Sequence, residues 1–118
     1  MEKTIINLTG HDLDIFADDK KVMTLQAKGK ARVYTKIATF NDVNVGTGYE
    51  KVFVPVFKSI VDKIDDLPPY NPHTVYIVSR ITAEGAKEIG RQVDDLLIPT
   101  NFIREKGKVI GCQSFERI

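Results

Sequence analysis

Thr74-Val75-Tyr76-Ile77-Val78-Ser79 narrows the possible folds more than any other stretch, because its centre is apolar at successive positions rather than alternate ones. A β-favouring run of that kind is covered on both faces, so it belongs in the middle of a sheet. The residues before it set a hard boundary. Asp65-Asp66-Leu67-Pro68-Pro69-Tyr70-Asn71-Pro72 holds three prolines in five residues, from 68 to 72. Each removes an amide donor and restricts its neighbour, so no ladder runs through here and the segment is an irregular surface loop. After the buried strand, Thr82 to Gln92 predicts a helix. Thr82 suits the N-cap, Glu84 and Glu88 suit the early turns, and Ala83, Ala86, Ile89 and Val93 share a face. Gly85 and Gly90 weaken it by roughly 1 kcal/mol each relative to alanine.

The remaining patterns are those of strands. Thr4 to Leu8 opens with β-branched residues and Asp12 to Phe16 alternates polar with apolar, which predicts two strands joined through Thr9-Gly10-His11. Ala17-Asp18-Asp19-Lys20 is turn material, and Val22 to Gln26 alternates again up to a corner at Lys28-Gly29-Lys30. Ala31 to Phe40 and Lys51 to Phe57 read as a hairpin connected through residues 41–49, with a short helical turn expected over Ile60 to Ile64. Leu96 to Pro99 and Phe102 to Arg104 are extended, and Glu105-Lys106-Gly107-Lys108 is a hairpin turn into Val109-Ile110-Gly111-Cys112. The sum is an α+β fold: a mostly antiparallel β-sheet meander with one main helix. At 118 residues, without a repeat or linker, residues 1–118 are expected to form a single domain.

Charge and cysteine content exclude several classes of function. Lysine plus arginine number 17 against 16 acids, a net charge of +1, which lacks the strongly basic face that duplex DNA requires. The single cysteine, Cys112, can form neither an internal disulfide nor a cysteine-rich zinc site. No apolar run approaches the length of a membrane span, and Met1-Glu2-Lys3 leads straight into a strand without a signal-peptide core. A cytoplasmic protein without membrane contact is therefore expected.

Chemistry points first to Val78-Ser79-Arg80-Ile81-Thr82, where a buried strand meets a helix N-terminus. Unpaired amides and about half a positive charge make such an end receptive to an anion. Arg80 can hold a phosphate bidentately, with Ser79 and Thr82 donating from their hydroxyls. The alternative is structural: Thr82 merely caps and Arg80 pairs with Asp94 or Asp95. Residues 20–36 carry Lys20, Lys21, Lys28, Lys30, Arg32 and Lys36 without an acid. The lysines suit a solvated, aggregation-resistant strand edge, whereas Arg32 suits phosphate recognition. His11, beside Asn7-Leu8-Thr9-Gly10, is either a base or phosphate contact or an ordinary turn residue. His11 and His73 lack further ligands at a metal-binding spacing. Tyr34, Tyr70, Tyr76, Phe102 and Phe115 are able to stack on a base, although strand aromatics usually pack in cores. Gly46-Thr47-Gly48 lacks the lysine of a P-loop, Cys112 has no base partner in sequence, and the Asp65-Asp66 and Asp94-Asp95 pairs suit caps or loops. No catalytic residue and no cofactor is expected.

Asn7-Leu8-Thr9-Gly10-His11, Tyr76-Ile77-Val78-Ser79-Arg80, Asp94-Asp95-Leu96-Leu97-Ile98-Pro99 and Arg104 through Gly107 and Val109-Ile110-Gly111-Cys112-Gln113-Ser114-Phe115 together resemble a widespread family of small phage and prophage proteins. The resemblance spans nearly the whole chain. It departs at Gly10, where the family usually carries proline. The family is in turn similar to the anti-CBASS sponges, oligomeric phage proteins that sequester cyclic dinucleotide alarm signals such as cyclic GMP-AMP. The resemblance implies capture without cleavage. The residue chemistry agrees, with an expected ligand site drawn from His11, Arg32, Tyr76, Ser79, Arg80, Thr82, Arg104 and Phe115. A site shared between subunits would bury more of a small ligand than one domain of this size can, so a homo-oligomer (dimer or tetramer) is expected. Two rivals stand beside it. A small phosphodiesterase would use His11 or Asp94 as general base, and a protein-binding inhibitor or virion accessory protein would hold no small molecule.

Overall fold

A computed structural model describes residues 3–118; Met1 and Glu2, part of the start read as lacking a signal peptide, lie outside the described residues. Its strands are β1 (Thr4–Asn7), β2 (Leu13–Ala17), β3 (Lys20–Leu25), β4 (Arg32–Asn44), β5 (Phe53–Asp65), β6 (Thr74–Ile77), β7 (Leu96–Glu105) and β8 (Lys108–Glu116). One helix, α1 (Arg80–Glu88), lies between β6 and β7. The α+β expectation holds, but the meander does not. Six strands form a sheet in the order β1-β6-β7-β8-β2-β3. Its β1/β6, β6/β7 and β8/β2 pairs are parallel, while β7/β8 and β2/β3 are antiparallel. The cause is α1: it serves as the crossover of a β6-α1-β7 unit, and such a crossover returns the chain in the same direction. β1 and β2, expected as neighbours, are separated by three strands.

β6 is buried at every position, as its continuous apolar run requires. Tyr76 and Val78 face one side with Leu8, Ala31, Leu96, Ile98 and the helix residues Ala83 and Ala86. Val75 and Ile77 face the other with Leu13 and Cys112, backed by Ile15, Leu25, Leu97 and Phe115. The two-residue alternation of the strand thus divides its side chains between two cores. The hairpin turns follow local backbone chemistry. Asp18 and Asp19 (φ 51° and 63°) close β2/β3, and Lys106 and Gly107 (φ 52° and 79°) close β7/β8, in the left-handed conformations that two-residue hairpins use. α1 begins two residues earlier than expected, and its N-cap is Ser79 rather than Thr82.

β4 and β5 form a separate two-stranded ribbon. The helical turn expected over residues 60–64 is strand, paired through to Arg32↔Asp65. At its base, Val33 and Val61 approach Gly85 of α1, and the Val61 amide donates to Glu88 Oε2 at 3.1 Å. From there it projects as an arm. The radius of gyration is 19.7 Å and the longest dimension 67 Å, whereas a compact chain of this length has a radius of about 13 to 14 Å.

Candidate functional site

The site starts from Asn7, the last residue of β1. Here the chain leaves one edge of the sheet and crosses toward β2, past the carboxyl end of β6. Asn7 is 2% exposed, and all of its side-chain groups are engaged. Nδ2 donates to the His11 carbonyl at 2.8 Å and to the Leu25 carbonyl at 2.9 Å; Oδ1 accepts from the Thr9 amide at 3.0 Å and the Thr9 hydroxyl at 2.7 Å. Further bonds tie the crossing to the segment after β3: Lys28 N–H to the Asn7 carbonyl, Gly10 N–H to Gly29, and Ala31 N–H to Leu8. Residues 7–11 are therefore a fixed wall. Gly10 adopts φ +88° within it, a value closed to proline, whose ring holds φ near −65°. A proline in place of Gly10 could therefore not make this turn.

The second wall is the β6–α1 junction. Ser79 Oγ accepts from the Thr82 amide at 3.3 Å and donates to Thr82 Oγ1 at 3.0 Å, so the two hydroxyls serve each other and the helix end. Arg80, the first helical residue, ion-pairs with Glu116 at the end of β8. Both side chains are about half exposed, so the pair is a weak one that competing anions and salt can break. Neither Asp94 nor Asp95 takes Arg80. Asp95 is bound instead by Arg91 at 2.8 and 2.9 Å.

Between these walls and the β7/β8 hairpin lies a cleft of about 760 Å³, within the range of small-molecule sites. Leu13, Ile98, Pro99, Phe102, Val109 and Ile110 give it an apolar lining, and Thr9, His11, Asp12, Ser79, Arg80, Thr100 and Asn101 supply its polar groups. It sits at the carboxyl end of the parallel strands β1 and β6, where α/β sheets characteristically bind ligands. Asp12 Oδ1 accepts from the Ala27 amide at 2.9 Å, and Asn101 Nδ2 donates to Ser114 Oγ at 2.6 Å. His11 is exposed with its backbone fixed by Asn7, leaving the imidazole on the cleft wall.

Of the eight expected ligand residues, the cleft gathers His11, Ser79 and Arg80. Arg32 and Thr82 line a separate shallow groove of about 280 Å³ with Lys30, Tyr34 and Ile81, which touches the cleft only through Ser79. Tyr76 is 5% exposed in the core, because it shares its strand face with Val78. Phe115 packs on the opposite core, and Arg104 is exposed near the β7/β8 turn, pairing in register with Val109. These three do not join the cleft. The aromatic that does is Phe102, half exposed on its apolar side. Phe102 is one of the five stacking candidates but not one of the eight expected ligand residues. What sets it apart is the residue before it, Asn101, which takes a left-handed φ of 51° within the continuous strand β7. Arg32 stands opposite Asp65 in the ribbon.

Cys112 is wholly buried in the sheet, and burial pushes its thiol above the usual range, the behaviour of a packing residue rather than a nucleophile. Among the described residues no group of three histidine, cysteine or acidic side chains converges as a metal site, and no helix is long and apolar enough to cross a membrane. The chain matches no family model, no curated protein and no solved structure.

Proposed function

We propose that the protein is a phage-type immune-evasion protein that binds and sequesters a cyclic di- or oligonucleotide, such as cyclic GMP-AMP, without cleaving it. It acts in the host cytoplasm and works as a homo-oligomer, a dimer or tetramer. The observation that carries this reading is the opening of Arg80 and the N-terminus of α1 onto an apolar cleft that also presents Phe102 and His11. A phosphate takes the Arg80 guanidinium from Glu116, gaining a charge-assisted contact in exchange for an exposed pair of little strength. The helix end adds its partial positive charge. Phe102 offers one base a stacking surface, an interaction of about 1 to 3 kcal/mol. His11 supplies a ring nitrogen to a phosphate or base edge. Sequestration needs only tight, reversible contact, and no bond to the ligand is made or broken.

Calorimetric titration with cyclic GMP-AMP and related cyclic nucleotides tests this. Arg80→Ala is expected to weaken binding at least tenfold with the fold retained, and Glu116→Gln, which frees the guanidinium, to leave binding as tight or tighter. Unchanged affinity in Arg80→Ala overturns the phosphate site. A second reading, a protein-binding inhibitor or virion accessory protein, is favoured by the apolar surface of the β4/β5 arm. It expects no affinity for any nucleotide in the same titrations.

A further inference from the structure

The arm plays no part in the cleft. Beyond its base, cross-strand register divides its side chains between two free faces. Ile37, Thr39 and Phe57 share one face, while Phe40, Val43, Val54 and Val56 share the other. Ile37 is 65% exposed, Phe57 62% and Phe40 57%. A two-stranded ribbon is at best marginally stable alone in water, and one whose apolar groups point both ways has no core of its own. An exposed apolar patch of this extent marks an interaction surface.

We propose that a second copy of this chain covers it: two arms lie antiparallel about a two-fold axis, and each tip seats in the groove between the base of the other arm and α1. This inference does not rest on the nucleotide reading. Three features select the occupant. The first is area. Aromatic side chains bury about 150 to 250 Å² each. Phe40, Tyr49, Phe53 and Phe57 are 57 to 107% exposed, and with Ile37 and the arm's valines the two faces and tip together offer area comparable to the roughly 800 Å² per partner of a standard interface. A self-complementary surface provides this from both subunits at once. The second is the groove. It has a volume of about 480 Å³, an apolar lining of Val33, Val61 and Ile81, and a charged margin of Glu84, Lys87 and Glu88. Ile81 is 71% exposed there. The arm tip carries the complement, exposed Val45 and Val52 around Glu50 and Lys51. Lys51 suits Glu84, and Glu50 suits Lys87. The third is reach. Strands of 13 residues extend about 43 Å, so a tip cannot fold back onto its own groove and fills that of another copy.

Sedimentation velocity on the full chain at micromolar concentration tests the proposal. The wild type is expected as a dimer or a multiple of one, and Phe40→Asp combined with Phe57→Asp as a monomer. Protection of buried Cys112 from thiol reagents reports that the body of that variant remains folded. A monomeric wild type, or an unchanged mass in the folded double variant, overturns the proposal; the former returns the arm to a different protein partner. Lys51→Glu is expected to weaken self-association about tenfold, since two-fold symmetry breaks the contact twice. Lys51→Glu combined with Glu84→Lys is expected to restore it. A wild-type affinity in Lys51→Glu, or a failure of the paired change to restore association, overturns the tip-to-groove seating.

Discussion

Replacing Asn7 with aspartate alters almost nothing in shape and reverses the chemistry of the cleft wall. The wild-type amide donates to two buried carbonyls at 2.8 and 2.9 Å and accepts two bonds from Thr9. These contacts fix the amide's orientation, since its NH₂ faces oxygens and its oxygen faces an N–H and an O–H. A carboxylate at this position keeps the Thr9 contacts but loses both donors, and it turns an anion toward the His11 and Leu25 carbonyls. Each buried group left unsatisfied costs about 1 to 3 kcal/mol, so the ionised variant is less stable than wild type by roughly 2 to 6 kcal/mol. Protonation restores one donor, so the native environment favours the neutral acid and raises its pKa above the unfolded value of about 3.9. Between those two values the native state binds more protons than the unfolded state, and the variant loses stability as pH rises. Urea unfolding of both proteins, followed by circular dichroism at pH 4.5 and 7.5, measures it. The deficit of Asn7→Asp is expected to be larger at the higher pH. A deficit below about 1 kcal/mol that does not change with pH would refute the reasoning, since it would mean that the amide does not hold the two carbonyls.

Three further outcomes are expected. Arg91→Ala strips the partner from Asp95, whose side chain is 1% exposed and also accepts from the Asn71 amide. The loss is about 3 to 5 kcal/mol, a fall in Tm of roughly 10 to 20 °C by scanning calorimetry. Gly10→Pro forces a φ of +88° toward −65° and removes the amide that bonds to Gly29. Its Tm falls measurably in the same experiment, whereas an unchanged Tm would mean that the turn tolerates proline. The Cys112 thiol, raised by burial, holds less thiolate at any given pH than a free cysteine. It should react slowly with a chromogenic disulfide at pH 8 in the native protein and rapidly after denaturation.

The parts of the fold that could be read from sequence are those where one residue pattern admits one environment. The apolar run of β6 requires cover on both faces, and it has it. The Asp18-Asp19 and Lys106-Gly107 turns follow from residues that tolerate positive φ. The base of the arm differs from expectation because the bulge near Asp62 interrupts strand alternation. Ile60, Val61 and Ile64 then fall at spacings that also suit a helical turn. The expected helix cap lies three residues past the observed one because Ser79 and Thr82 are both capping types. The direction of β7 depends on α1 serving as a crossover, a relation between elements that no local window contains. Within the site, Ser79 and Arg80 could be read because a strand running into a helix N-terminus is a local feature. Tyr76 and Phe115 could not be separated from Phe102 by residue type; Tyr76 is lost to the core through its strand parity, and Phe102 follows the left-handed Asn101 within β7. Arg32 and Arg104 carry suitable charge at positions away from the cleft, and charge alone does not locate a residue.

Native mass spectrometry of the protein purified from cells that produce a cyclic dinucleotide, followed by denaturation and identification of what is released, tests sequestration most directly. The expected result is an oligomer that releases an intact cyclic nucleotide at a fixed number per subunit, with Arg80→Ala recovered largely empty. Release of a linearised nucleotide would contradict capture without cleavage. A bare protein, still bare after incubation with a panel of cyclic nucleotides, would contradict nucleotide binding and leave the protein-binding inhibitor as the surviving account.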